Sequence, residues 1–306
     1  MHSIYEKARA FVYRNARPLD LARWQYHFEN GSGAAVWNAL AYYQNEDGGF
    51  GHALEPDCWN PCSSPIQTWC ATELLRETGL RDPSNPLIAG ILHYLTSGDS
   101  FDGHGWFCTV ASNSDAPHAP WWHTDSRSAC HADDNPTACL AGFLLRFAPP
   151  GTAAQTLGCH VAQASVSRLA APSPTRDMHT LACYLRLYEY AAEAGNPAAL
   201  DLPAMQASLH AHISSCLTQN TDLWETSYVC KPSQFFHSPA APCYPGNEQL
   251  TAYECDFLER TQLKDGSWKI PWSWSEYPEQ WSISKNWWKA NGILANLLFL
   301  KGFGRL

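Results

Sequence analysis

The fold is decided by the stretch FLERTQLKDGSW, residues Phe257 to Trp268. An apolar helix end, Phe257-Leu258, runs through Gln262 into Asp265-Gly266, and an aromatic, Trp268, follows two residues later. Each residue type has a physical task there. Glycine takes the positive φ that closes a helix C-terminus. Aspartate closes a turn through its own backbone. A glutamine side chain bonds carbonyls at a helix end or in a neighbouring repeat. The aromatic then folds back over the helix. Two further stretches follow the pattern. Tyr43-Gln44 leads into Asn45-Glu46-Asp47-Gly48-Gly49-Phe50, and Tyr94-Leu95 leads into Ser100-Phe101-Asp102-Gly103-His104-Gly105-Trp106. The chain therefore carries an internal repeat that turns one helix into the next.

Helical periodicity dominates the rest. Ile66, Trp69, Cys70 and Leu74 share a face, as do Leu87, Ile88, Ile91, Leu92 and Leu95. Further runs cover Ala138 to Phe147, Met178 to Tyr190, Met205 to Leu217, Leu250 to Leu258 and Ile293 to Leu300. Asn135-Pro136 reads as a helix start, with Asn at the N-cap and Pro at the first helical position. Ser173-Pro174-Thr175 and Asn196-Pro197 punctuate in the same way. Alternating strand patterns are scarce, so the spacing predicts about ten to twelve helices in an all-α fold. No linker composition interrupts the chain, and one domain over residues 1–306 is expected.

FLERTQLKDGSW resembles the QW motif of squalene–hopene cyclases and related triterpene cyclases, and protein prenyltransferase β subunits carry a related repeat. At the motif's first positions Tyr253-Glu254 stand here instead of a basic and a small residue. Phe50 stands for Trp in the Gln44 copy, and the Tyr94 copy has no Gln. The resemblance implies an (α/α) toroid, a barrel-like ring of helical hairpins around a central cavity. It also implies a terpene-cyclase-like or prenyltransferase-like enzyme acting on an apolar, isoprenoid-type substrate. At 306 residues the chain has room for one toroid, against two domains in triterpene cyclases.

Composition bounds the partners. The net charge of −9 argues against nucleic acid or an anionic membrane. Fourteen Trp and 13 Tyr exceed what core filling usually needs and point to an aromatic-lined cavity or binding surface. Residues 1–20 mix charges with apolar residues and hold no uninterrupted apolar run, so no signal peptide is read and a cytoplasmic location is expected. No window is long enough to span a bilayer, which leaves only peripheral membrane contact. Without a secretory signal, the 12 Cys read as mostly reduced, buried thiols.

Three constellations could carry chemistry. The first is Cys130-His131-Ala132-Asp133-Asp134-Asn135-Pro136-Thr137-Ala138. It is similar to the DxDD motif of class II terpene cyclases, whose middle Asp protonates an alkene or epoxide. The resemblance makes Asp133 the general acid, tuned by Asp134 and by His131, which replaces the first Asp. Such an acid must stay protonated in a dry site. Trp121 and Trp122, in a Pro-rich loop, would line the pocket, with Trp272 and Tyr228 as further aromatic candidates. The competing reading is that Asp133, Asp134 and Asn135 cap a helix. No cofactor is needed for the cyclase reading.

The second constellation is metal. Cys70, Cys130 and His131 match the zinc set of lanthipeptide cyclase-like toroids in order, and thiolate and imidazole suit Zn²⁺. The glycines that flank that set in the family are absent, and chance Cys and His pairs are expected in this composition. His52, Asp57, Cys58 and Cys62 form another conceivable set. The third is Glu55 with Asp57, which would be paired carboxylates of a carbohydrate-active or carbohydrate-binding toroid, with His52 beside them and Trp platforms for a sugar. The opposing reading is a solvated, hydrogen-bonded loop. A non-catalytic binding protein is the remaining alternative.

Overall fold

The computed structural model describes residues 4–171 and 177–306, so the expected break at Ser173-Pro174-Thr175 lies outside the described residues. The protein is all-α. Eleven α-helices are described: α1 (Ile4–Asn15), α2 (Pro18–Phe28), α3 (Gly33–Ala41), α4 (Pro65–Glu77), α5 (Pro86–Thr96), α6 (Asp134–Phe147), α7 (Ala153–Ala170), α8 (Met178–Glu193), α9 (Leu202–Cys216), α10 (Glu248–Thr261) and α11 (Pro278–Gly302). Among the described residues β-pairing is confined to isolated bridges. Every apolar run read from the sequence falls on one of these helices.

The helices gather into two compact units. Unit 1 is Met1–Ala39 with Ile213–Leu306, and unit 2 is Leu40–His212. Unit 2 is built around α6. Ala138, Cys139, Leu140, Ala141, Phe143 and Leu144 are all at most 1% exposed, so this helix is apolar on every side. Helices α7 and α8 pack on it. Small residues set those approaches: a Cβ on Gly142 would stand 3.0 Å from Leu187 Cα, and one on Gly158 would stand 2.7 Å from Leu144 Cβ. Helix α4 ties to α8 through Arg186, which grips Glu73 at 2.7 and 2.9 Å.

Unit 1 centres on α1, α2, α10 and α11, whose Phe11, Val12, Trp24, Phe257, Leu258, Ile293, Leu297 and Leu300 form one buried cluster. Asp20 is fully buried there and held by Arg17 Nε at 2.7 Å and Arg23 Nη1 at 3.0 Å. A buried carboxylate needs such partners to offset its lost hydration.

Two copies of the repeat have one hydrogen-bond pattern. In unit 2, Gln44 Nε2 donates to Gly48 O (2.9 Å) and to Leu87 O on α5 (3.1 Å). In unit 1, Gln262 Nε2 donates to Gly266 O (3.0 Å) and to Ile4 O on α1 (2.8 Å). Asn45 N bonds Gly49 O at 2.9 Å and Leu263 N bonds Ser267 O at 2.8 Å. Asp47 accepts from Gly49 N and Asp265 from Ser267 N, each at 2.9 Å. Gly48 (φ 85°) and Gly266 (φ 94°) both need the left-handed backbone. Both are also pressed onto the neighbouring helix: an added Cβ would meet Gly90 O or Lys7 O at 2.1 Å. Trp268 then donates its indole N–H to Leu258 O at 3.0 Å, folding back over α10 as the pattern requires.

The middle copy is one residue shorter between its paired positions. Phe101 bridges Trp106, and Asp102 accepts from His104 N (2.9 Å) and Gly105 N (3.0 Å). The aromatic is also docked the same way twice. Phe50 N bonds Thr68 Oγ1 at 3.1 Å, and Trp106 N bonds Thr137 Oγ1 at 2.9 Å. Thr68 and Thr137 each sit four residues after an N-cap, Ser64 and Asp133 respectively.

Candidate functional site

The sequence-read residues fall in different places. Asp133 is the side-chain cap of α6, accepting from Asn135 N at 3.3 Å, and it is exposed. Asn135 has a non-helical backbone (φ −99°, ψ 103°) at a kink just ahead of Pro136, as a residue at a helix start does, because a residue before proline is driven out of the α region. Exposure gives Asp133 none of the dry surroundings a proton-donating acid needs. Asp134 points the other way. It is 8% exposed and receives Arg168 Nε at 2.9 Å, Arg168 Nη2 at 2.7 Å, Ser165 Oγ at 2.9 Å and the Tyr184 hydroxyl. Both its oxygens are bonded, so it acts as an interior tie between α6, α7 and α8.

His131 is exposed and faces a different cysteine from the one expected: its Nε2 lies 3.8 Å from Cys108 Sγ, and its Nδ1 lies 3.3 Å from Ala129 O. Cys108 N also bonds His131 O at 3.2 Å. Burial pushes the Cys108 thiol up, and the nearby Asp133 charge adds to this, so the pair does not make an activated thiolate. Cys130 Sγ lies 3.7 Å from Ser126 O, and Cys70 is half-buried on α4. Among the described residues no three His, Cys, Asp or Glu side chains gather into a metal-holding group, so neither Cys70, Cys130 and His131 nor His52, Asp57, Cys58 and Cys62 are assembled. Trp272 and Tyr228 pack edge-to-face at 5.2 Å in unit 1, whereas Trp121 and Trp122 belong to unit 2.

Glu55 and Asp57 are the informative surprise. A solvated loop was one expectation, yet they are 7% and 2% exposed. The segment 51–62 is zipped to the segment 110–124. Cys58 bridges His118, Trp59 N bonds Pro117 O at 2.9 Å, and Ala119 N bonds Asp57 O at 2.8 Å. The Asn60 amide reaches Ser112 Oγ (2.8 Å) and Asn113 Oδ1 (2.9 Å), and Asn113 Nδ2 reaches Trp122 O (3.2 Å). Gln67 closes the same loop from α4, accepting from Leu54 N at 2.9 Å and donating to Asn60 O at 3.1 Å. Glu55 Oε1 accepts the Trp122 indole N–H at 3.1 Å, and Oε2 accepts Asp57 N at 3.0 Å. The carboxylate is therefore a buttress that orients Trp122. His52, exposed, bonds Asn45 Oδ1 at 2.9 Å.

On this buttressed loop sits a group that no sequence motif marked. His118, 6% exposed, stacks on His123 with ring centroids 5.3 Å apart, and its Nε2 lies 3.2 Å from His123 Nδ1. His123 Nε2 faces Asp125 Oδ1 at 3.0 Å. Ser114 Oγ lies 3.3 Å from His123 Nδ1, which completes a Ser, His and Asp trio in outline. The hydroxyl is committed elsewhere, however: it donates to Thr124 O at 2.7 Å and accepts from Thr124 N at 3.1 Å. A nucleophile needs its proton aimed at the base, so the trio braces a turn. Beside it Trp121 is 46% exposed. The only sequence signal for this group was the run of aromatic and His residues from His118 to His123.

No protein-family model, curated protein or solved structure matches the chain.

Proposed function

We propose that unit 2 binds a hydroxyl-rich ligand of carbohydrate type, without catalysis, on the face made by Trp121, His123 and Asp125. The observation that carries this reading is the exposed Trp121 ring on a loop made rigid from below by the Glu55–Trp122 bond. An exposed aromatic bordered by polar groups has the apolar face and wet edge that ligand recognition uses. The C–H face of a pyranose stacks on an indole, and Asp125, whose side chain is 89% exposed, offers carboxylate acceptors to its hydroxyls. Rigidity from Glu55 lowers the ordering cost of binding.

Binding is favoured over hydrolysis because Glu55 and Asp134 have both oxygens bonded, and Asp133 is an exposed cap. The expectation of an isoprenoid cyclase rests on a family pattern whose acid position is this same Asp133, and the geometry supports it less. A panel of immobilised glycans, followed by titration with indole fluorescence, tests the reading. Wild type is expected to bind at least one glycan class, and Trp121→Ala to weaken it by about tenfold or more, as loss of a central aromatic anchor does. A wild-type protein that binds no glycan, or a Trp121→Ala variant that binds equally well, would overturn it.

A further inference from the structure

Unit 1 holds a cleft of ≈ 470 Å³ lined by Lys7, Phe11 and Arg14 of α1, by Lys264 and Asp265 of the repeat turn, and by Asn286 of α11. Its size lies within the range of small-molecule sites, roughly 300–1,000 Å³. Lys7 and Arg14 are seven residues apart on one face of α1, so their stems rise about 10 Å apart along the helix axis. Lys264 approaches from the turn, whose seat on α1 is fixed by Gln262 reaching Ile4 O at 2.8 Å and by Gly266 packed on Lys7 O. All three cations are exposed, and among the described residues none of them is in an ion pair. The one acid on the rim is already neutralised: Asp265 is held by Lys289 Nζ at 2.7 Å. In a chain of net charge −9, three uncompensated cations around one concavity form a local field of opposite sign to the whole.

The repeat supplies an internal control. Superposing the two hydrogen-bond patterns pairs Ile4 with Leu87 and Gln262 with Gln44. The same register then pairs Ala8, Phe11 and Val12 with Ile91, Tyr94 and Leu95, all buried. Asp265 pairs with Asp47 and Gly266 with Gly48. Lys7, Arg14 and Lys264, however, pair with Gly90, Ser97 and Glu46. The scaffold demands the Gln, the Asp and the Gly, and it makes no demand for positive charge. The three cations are therefore an addition specific to this copy.

We propose that this cleft binds a small organic ligand bearing more than one phosphate group. A single anion would engage one end of the Lys7–Arg14 span, whereas two or three linked phosphates match its length, and a volume of ≈ 470 Å³ leaves room for a carbon moiety. The ligand stands apart from the glycan reading of unit 2, and each can fail alone.

Inorganic tripolyphosphate, titrated into the full chain by isothermal calorimetry at low salt, is the probe. A saturable one-to-one isotherm is expected, weakening as ionic strength rises. Lys7→Gln, Arg14→Gln and Lys264→Gln should each weaken binding by roughly three- to tenfold, while the exchanges Lys7→Arg, Arg14→Lys and Lys264→Arg retain most of it. Arg127→Gln, an exposed cation in unit 2, should change nothing. The side chains are exposed, so melting temperatures should stay close to wild type. Heat of dilution alone would overturn the proposal, as would variants that bind like wild type or an equal effect of Arg127→Gln. Several molecules of protein binding along one heparin chain more tightly than tripolyphosphate binds would also overturn it, in favour of an extended polyanion.

Discussion

Asp133 and Asp134 are adjacent in sequence and live in opposite environments. The first faces water and closes the N-terminus of α6, and the second is buried under Arg168, Ser165 and Tyr184. Removing one partner of a buried pair leaves an uncompensated charge. Asp134→Ala strands Arg168, although that side chain is 44% exposed and recovers some hydration. The expected loss of stability is therefore about 2–4 kcal/mol. Asp133→Ala removes only a cap and should cost about 1 kcal/mol. Urea unfolding of the two variants measures both. Equal losses, or a larger loss at Asp133, would contradict this division. The sequence could show that one of the two acids caps a helix. It could not show which was buried, because the deciding partner, Arg168, lies on another helix 34 residues away.

At the scale of the element, the helix-ending turn is where sequence and structure agree most closely. Residue chemistry alone sets the tasks of Gln262, Asp265, Gly266 and Trp268, and each bond has its counterpart in space. Local rules suffice because the partners lie within a few residues or at one neighbouring helix end. Gly266→Ala should therefore cost about 3 kcal/mol, beyond the ~1–2 of a left-handed residue alone, since its Cβ would fall on a backbone carbonyl. Gly98 has a similar positive φ, and a Cβ added there would meet nothing within 4 Å. Gly98→Ala should thus show only the smaller loss in urea unfolding, and similar losses at both positions would remove the close approach as the cause. Helix α7 is the opposite case. Its inward stripe is Gly158, Val161, Ala162, Ser165 and Leu169, mostly small residues that a hydrophobic pattern does not register. Their smallness is what lets α7 approach α6. The zipped loops 51–62 and 110–124 were also illegible, since pairing between irregular segments leaves no period in the sequence.

For the whole molecule, the cysteines decide between a reduced chain and a metal-organised one. None of the twelve is joined in a disulfide. Cys62 is exposed, Cys70, Cys108, Cys130, Cys159 and Cys216 are half-buried, and the other six are buried. Burial pushes the Cys58 thiol up to about 12 and the Cys255 thiol up to about 11, and Cys139 is raised well above its ordinary value, so the reactive thiolate is scarce at neutral pH. A thiol reagent at pH 7.5 should then label Cys62 first, the half-buried group more slowly, and the buried six only after denaturation, when the count without reductant reaches twelve. Addition of a chelator to the native protein should leave this order and the rates unchanged. Faster labelling of Cys70 and Cys130 after chelation would reverse the conclusion, because it would mean that a metal had been holding these two thiols.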